Sequence, residues 1–202
     1  MATTVTAAQQ RFLDAAVDVF AEQGYGGATT REIAVRAGRS PAALYVHYPT
    51  KEDLLFAICL QGHELALQCL QSAYDSGGDP VSRVREMVFR FSTWHMERVR
   101  RARVSQYELH SLSPEHRIAI IALRREFHRL MRRALQSGIR AGVFDVDDVH
   151  RTAHSLLALG IDLVRWFDPA LEKDIAGIAR HNAELAVRMV RHHPEPPRSP
   201  RT

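Results

Sequence analysis

The sequence predicts an all-α fold of about nine helices, three short ones followed by six longer ones. Three observations predict it. Apolar residues recur at helical spacing along most of the chain, capping residues precede nearly every such run, and strand patterns are nearly absent. At 202 residues the chain can hold one or two domains with a sizeable core, and 46% hydrophobic with 25% charged residues is ordinary for a soluble globular protein. No apolar run approaches the ~20 residues of a membrane helix. "MATTVTAAQQ" lacks the basic and apolar regions of a signal peptide. Cys59 and Cys69 alone make no disulfide framework, so a cytoplasmic location is expected.

The first helix is expected from Thr6 to Gln23, with Phe12, Ala16, Val19 and Phe20 on one face and Gly24 as its stop. Thr29 with Glu32 reads as a capping box for a second helix, Thr30 to Ala37, which Gly38 ends. Ser40 caps a third, Pro41 sits at its first position, and Pro49 closes it near His47. Thr50 caps a long helix over Lys51 to Ala73, followed by the loop "YDSGGDP". Helices are then expected over Pro80 to Arg100, Arg103 to Ser111, Pro114 to Arg140, Asp147 to Phe167 and Leu171 to His193. The Pro/Arg-rich end "PEPPRSPRT" reads as a disordered tail. The expected domains are 1–50, 51–193 and the tail 194–202.

Net charge is +4 with a pI near 9.4, which permits nucleic-acid binding. The excess is not where the short helices are. Met1 to Lys51 holds five Lys or Arg against four acids, whereas Glu97 to Arg140 holds eleven Arg against four Glu.

"GRSPAALYVHYPTKEDL", Gly38 to Leu54, is a seven-residue helix fenced by a cap and two prolines, with little to bury. Two short helices joined by a glycine turn make a helix-turn-helix, whose second helix lies in the DNA major groove. Ala34, Ala37 and Leu44 pack the pair; Arg39, Ser40, Ala42, Ala43, Tyr45 and His47 are left facing outward. Small residues there allow close approach to base edges. Tyr48 and Lys51 follow, where phosphate contacts fix register, and Lys51 lies in the first turn of its helix, whose free N–H groups attract phosphate. The same pattern also fits an αα-hairpin inside a bundle.

"GYGGATTREIAVRAGRSPAALYVHYPTKEDLLFAI", Gly24 to Ile58, resembles the DNA-binding domain of TetR-family transcriptional regulators. With the first helix this covers about the first quarter of the chain. Tyr48 stands where the family usually has phenylalanine. The resemblance implies an N-terminal three-helix helix-turn-helix domain plus a six-helix C-terminal ligand-binding and dimerisation domain. It implies a homodimer on a palindromic, double-stranded operator, released by a small hydrophobic effector, with Thr30, Arg39, Ser40, Tyr45, His47, Tyr48 and Lys51 on DNA. It implies neither enzyme activity nor a cofactor.

"SLLALGIDLVRWFDP", Ser155 to Pro169, is apolar on much of its circumference, and Gly160 permits close helix approach. Ile175, Ile178, Leu185, Ala186 and Met189 stripe the last helix. The two helices suit a four-helix bundle across a two-fold axis, or an intramolecular core. "RWFDP" and "EFHRLMRRALQSGIRAGVF" are similar to TetR-type regulators of fatty-acid, acyl or sterol breakdown, many of which sense acyl-CoA thioesters. An acyl slot could draw on Phe89, Trp94, Met96, Tyr107, Ile121, Phe127, Leu130, Met131 and Trp166, with Arg124, Arg125, Arg129, Arg132, Arg133 and Arg165 for phosphates. Two alternatives stay open: an aromatic or cationic effector, and a helical lipid-binding protein without DNA function. His150 and His154 are spaced as a metal pair, but no third ligand follows at a telling interval, and no metal site is expected. Nor is there a Gly-rich phosphate loop or a G-x-S-x-G motif.

Overall fold

The computed structural model describes residues 5–191; the expected tail 194–202 and the end of the last expected helix lie outside them. Among these residues there are ten α-helices and one 3-10 turn: α1 (Ala7–Gly27), α2 (Thr30–Arg36), α3 (Pro41–His47), α4 (Lys51–Asp75), α5 (Pro80–Glu97), α6 (Val99–Tyr107), the turn Glu108–Ser111, α7 (Pro114–Arg140), α8 (Val149–Ile161), α9 (Leu163–Trp166) and α10 (Ile175–Val190). The only strand-like pairing among the described residues is an isolated bridge, Phe144 to Arg191. No described helix is long and apolar enough to cross a membrane.

Local capping chemistry sets most helix starts. Ser40 Oγ accepts from Ala43 N–H, and Thr50 and Asp53 make a reciprocal capping box. Thr29 and Glu32 make only half of the expected box, because the Glu32 carboxylate is taken by the Gln23 amide. A complete box stands instead at Thr6 and Gln9. Gly24 does break α1, with φ 73°, and one further turn runs to Gly27.

Four boundaries differ from expectation. The fifth helix ends at Glu97 and α6 begins at Val99, so the gap falls earlier than expected, and residues 108–111 tighten to 3-10 geometry. The eighth divides at Asp162, whose carbonyl takes the Arg165 N–H three residues on, a tighter turn than an α-helix allows. The expected six-helix C-terminal part thus contains seven α-helical segments. The last helix starts at Ile175 because Asp174 caps it through Gly177 N–H. A Cβ at Gly177 would lie 1.9 Å from the Asp174 carboxylate and would push it out of its capping position.

Three apolar clusters result. One joins α1–α3 to the start of α4 and takes in Val104, Leu112 and Ile120 from beyond it. The main core lies among α4, α5, α7, α8 and α10, with Phe91, Phe127, Leu130, Met131 and Leu157 at its centre. Gly160 lets α8 close onto α5, since a Cβ there would sit 2.8 Å from the Phe91 ring. That close approach is within the chain. A smaller cluster of Met96, Val99, Leu163, Phe167 and Ala179 seals the α9–α10 end.

Candidate DNA-reading face and effector cavity

The turn between α2 and α3 is a Schellman motif. Gly38, at φ 66°, donates to Val35 O, and Arg39 N–H reaches back to Ala34 O. Ile33, Ala34 and Leu44 are fully buried beneath it. This fixes α3 against α2 and aims its outer face at solvent.

The nine sequence candidates for DNA contact then divide. Thr30, Arg39, Ser40, Ala42 and Tyr45 share the outer side. Tyr45 is 48% exposed, and its hydroxyl is 2.8 Å from Thr30 Oγ1, tying the two helices across that face. The other four turn inward or are engaged. Ala43 packs against the N-terminal core. The His47 ring leans on Phe12 at 6.0 Å. Tyr48 is only 7% exposed and lies in the same core; burial pushes its phenol above the ordinary range. A phenylalanine would fill that seat equally well. Lys51 Nζ donates to Tyr25 O at 2.7 Å and Ala28 O at 2.9 Å, and lies 4.3 Å over the Tyr25 ring. Its charge therefore holds the C-terminal end of α1. Sequence reasoning missed Val46, 80% exposed on α3 and free to offer a methyl to thymine.

The basic middle of the chain turns toward this unit. Arg100 on α6 pairs with Asp18 and Glu22 on α1, Arg101 with Asp14, and Arg36 with Glu22. The Arg36 and Arg100 contacts hold the Glu22 carboxyl below the usual range. Glu108 accepts from Tyr25 N–H, and Glu52 takes both Ser113 N–H and the His116 ring, which stacks on Phe56 at 3.7 Å. Among the described residues, Glu52, Asp53 and His116 are the one group of three ligand-type residues gathered within 4.8 Å. Glu52 is spent on that link and Asp53 on its cap.

A cavity of about 330 Å³ opens among five helices. Gly62, His63 and Ala66 come from α4, and Trp94 and His95 from α5. Ala102, Ser105 and Gln106 come from α6, Arg124, Phe127 and His128 from α7, and His154, Leu157, Ala158 and Ile161 from α8, with Asp162 at its end. Of the fifteen ligand candidates, Trp94, Phe127 and Arg124 line it. Met131 is sunk in the main core, Met96 in the small cluster, and Phe89 packs against the latter. Ile121 is half-buried on α7 outside the cavity, and Tyr107 and Arg125 face solvent. Arg165 pairs with Asp162, and Trp166 is 53% exposed. The aromatic slot is thus displaced toward α4, because α9 turns away from the helix it was expected to extend.

Of the cavity's polar groups the sequence singled out Arg124 and His154, but not His63, His95, Ser105 or His128. His63 donates from Nδ1 to Cys59 O at 2.7 Å and accepts on Nε2 from Arg124 Nε at 3.0 Å. His95 donates to Phe91 O. Burial pulls both imidazoles down to about 4, so both are neutral at pH 7. The His128 ring stacks on His154 at 5.3 Å and lies 6.3 Å from His150; burial, then the two neighbouring rings, lower its affinity for a proton. The thiol of Cys59, beneath His63, is pushed up to about 11 by burial.

Two short helices joined by a capped glycine turn, set on a helical bundle that holds a cavity, have the architecture of a helix-turn-helix DNA-binding regulator. Comparison with known proteins gives the family. Residues 12–58 match the bacterial regulatory proteins of the tetR family, and residues 77–190 match the tetracyclin repressor-like C-terminal domain. The chain belongs to the TetR family. It is 26% identical to the transcriptional repressor KstR2 of Rhodococcus jostii RHA1 over 179 residues, 87% of each chain. It is 39% identical to the regulator UidR of Escherichia coli K12 over 67 residues, a match that spans only 34% of UidR and 33% of this chain. A tetR-family regulatory protein from Rhodococcus RHA1 superposes with TM-score 0.88 at 41% identity, covering 94% of this chain and all of that one. AibR, solved with isovaleryl coenzyme A and operator DNA, superposes with TM-score 0.80 at 24% identity, covering 88% of this chain and 97% of AibR.

Proposed function

We propose that this protein is a homodimeric transcriptional repressor that reads a palindromic operator with residues 1–50 and senses a small apolar effector with residues 51–193. One observation carries the reading: α6 is shared. Its Ala102, Ser105 and Gln106 wall the cavity, while Arg100 and Arg101 on the same helix are ion-paired to α1. A ligand that moves α6 therefore moves the helix on which the reading head is built. Release follows only if the ligand binds the non-DNA conformation better. The reading surface is Thr30, Arg39, Ser40, Ala42, Tyr45 and Val46, presented twice by the dimer.

The effector is an acyl-CoA thioester with a compact acyl group. About 330 Å³ is at the lower end of ligand cavities, which run from ~300 to ~1,000 Å³. AibR, solved with isovaleryl coenzyme A and operator DNA, supplies a precedent for a short acyl group. The exposed Arg125 on α7, with Arg129 and Arg132 further along it, offers cations for the coenzyme phosphates. A cationic effector fits less well, because Arg124 already places a positive charge in the cavity wall.

The test is fluorescence anisotropy on labelled DNA from upstream of this protein's own gene, at physiological salt with excess competitor DNA. Tight binding reversed by isovaleryl-CoA, and not by free CoA, supports both halves. Tight binding indifferent to every acyl-CoA discards the thioester and keeps the regulator. Failure to select any sequence from a whole-genome library overturns the regulator.

A further inference from the structure

The cavity wall contains one guanidinium, Arg124, and one carboxylate, Asp162, which is not paired with it. Arg124 makes no ion pair among the described residues. Its donors go to neutral acceptors: Nε to His63 Nε2, Nη2 to Gln106 Oε1 at 2.9 Å and, at 3.5 Å, to Ser105 O. Nη1, with two more N–H groups, has no acceptor among the described residues. Asp162, the acid on the cavity's rim, is exposed and engaged by Arg165. The neutral His63 cannot supply charge, but its lone pair fixes the plane of the guanidinium.

Two further groups beside this cation are buried and unsatisfied. His128 Nδ1 meets no protein partner with hydrogen-bond geometry, and Ser105 Oγ has at most the weak Cys59 thiol beside it. Both residues line the cavity. Buried polar atoms without partners in a mostly apolar space cost stability unless something completes them. A single guanidinium with a hydroxyl beside it matches one carboxylate; a phosphate dianion would call for more positive charge.

We infer that the effector carries a carboxylate on a compact apolar body, and that Arg124, with Ser105 as second donor, anchors that carboxylate inside the cavity. This rests on the reading that a small effector occupies the cavity. The carboxylate belongs either to the far end of a dicarboxylic acid joined to CoA as a monothioester, in keeping with the thioester proposed above, or to a free acid, which would replace that thioester as the effector. His95, Phe127 and Leu157 then surround the apolar body.

The experiment uses Trp166→Phe protein, in which the emission comes from Trp94 in the cavity wall. Two probe pairs differ only at the anchoring group: cyclohexanecarboxylate against cyclohexanecarboxamide, and adipoyl-CoA against hexanoyl-CoA. At least one charged member should bind about tenfold or more tightly than its neutral mate, the loss a charge-assisted hydrogen bond carries. Arg124→Gln should abolish that preference and leave the neutral mates within about twofold, while Arg124→Lys, which keeps the charge, should retain part of it. Preference for cyclohexanecarboxylate identifies a free acid; preference for adipoyl-CoA identifies a thioester. Equal binding of charged and neutral mates, with Trp94 responding, overturns the anchor and leaves the cavity reading standing. No Trp94 response and no release of operator DNA by any probe overturns both.

Discussion

Replacing Lys51 with methionine separates two roles that the sequence alone leaves superimposed. Methionine keeps most of the apolar stem and removes the ammonium. In the structure that ammonium donates to Tyr25 O and Ala28 O and lies over the Tyr25 ring. A hydrogen bond from a charged donor contributes about 1.5–3 kcal/mol, and an exposed cation–π contact about 0.5–1 kcal/mol. The acceptors are Tyr25 in the last turn of α1 and Ala28 at its C-cap, part-buried positions where local relaxation replaces part of the loss. The net cost is therefore about 2 kcal/mol, below the sum of the parts. For a chain of this size that is a fall in Tm of about 4–8 °C. The assay pairs thermal unfolding by circular dichroism with operator binding across a salt series. If Lys51 is a structural clip, Tm falls and the salt slope of log Kd is unchanged at temperatures where the variant is folded. If it were a phosphate contact, Tm would hold and the slope would drop by about one. The second result would refute the assignment of its charge to the Tyr25 and Ala28 carbonyls.

Gly138→Ala should cost about 2 kcal/mol, because its Cβ would lie 1.9 Å from the Phe144 ring; Gly26→Ala, with nothing within 4 Å, is the control, and equal melting temperatures would contradict the packing. His63 and His95 titrate near 4 when folded and near ~6.5 when unfolded, so the unfolded state binds more protons between those values. Stability from these two groups is then full above ~6.5 and falls as pH drops toward 4, by about 1.4 kcal/mol per histidine per pH unit. Urea midpoints at pH 7 and pH 5 measure this, and His95→Gln should flatten the dependence. Tyr45→Phe removes the bond to Thr30 and a polar group from the reading face. Operator affinity should fall by up to about tenfold with effector affinity unchanged, and an unaltered operator Kd would remove Tyr45 from that face.

What the sequence determined by itself is what short-range chemistry controls. Ser40, Thr50, Asp79 and Ser113 cap their helices because a cap needs only an N–H two or three residues away. The glycine turn at Gly38 and the burial of Leu44 follow from the same local rules, and with them the helix-turn-helix and the family. Tertiary structure decided where charge and polarity are spent. Tyr48 and Lys51 lie in the reading segment, yet the core that takes the Tyr48 ring and the carbonyls that hold Lys51 come largely from α1 and the loop after it. Arg100 and Arg101 of α6 looked like surplus basic charge until folding set them against Asp14, Asp18 and Glu22, about eighty residues earlier in the chain. The cavity had no local signature either, since its walls come from five helices and His63, Ser105 and Arg124 meet only when α4, α6 and α7 pack. Caps and turns are set by neighbours in sequence; the partner of a long side chain is set by whichever helix arrives beside it.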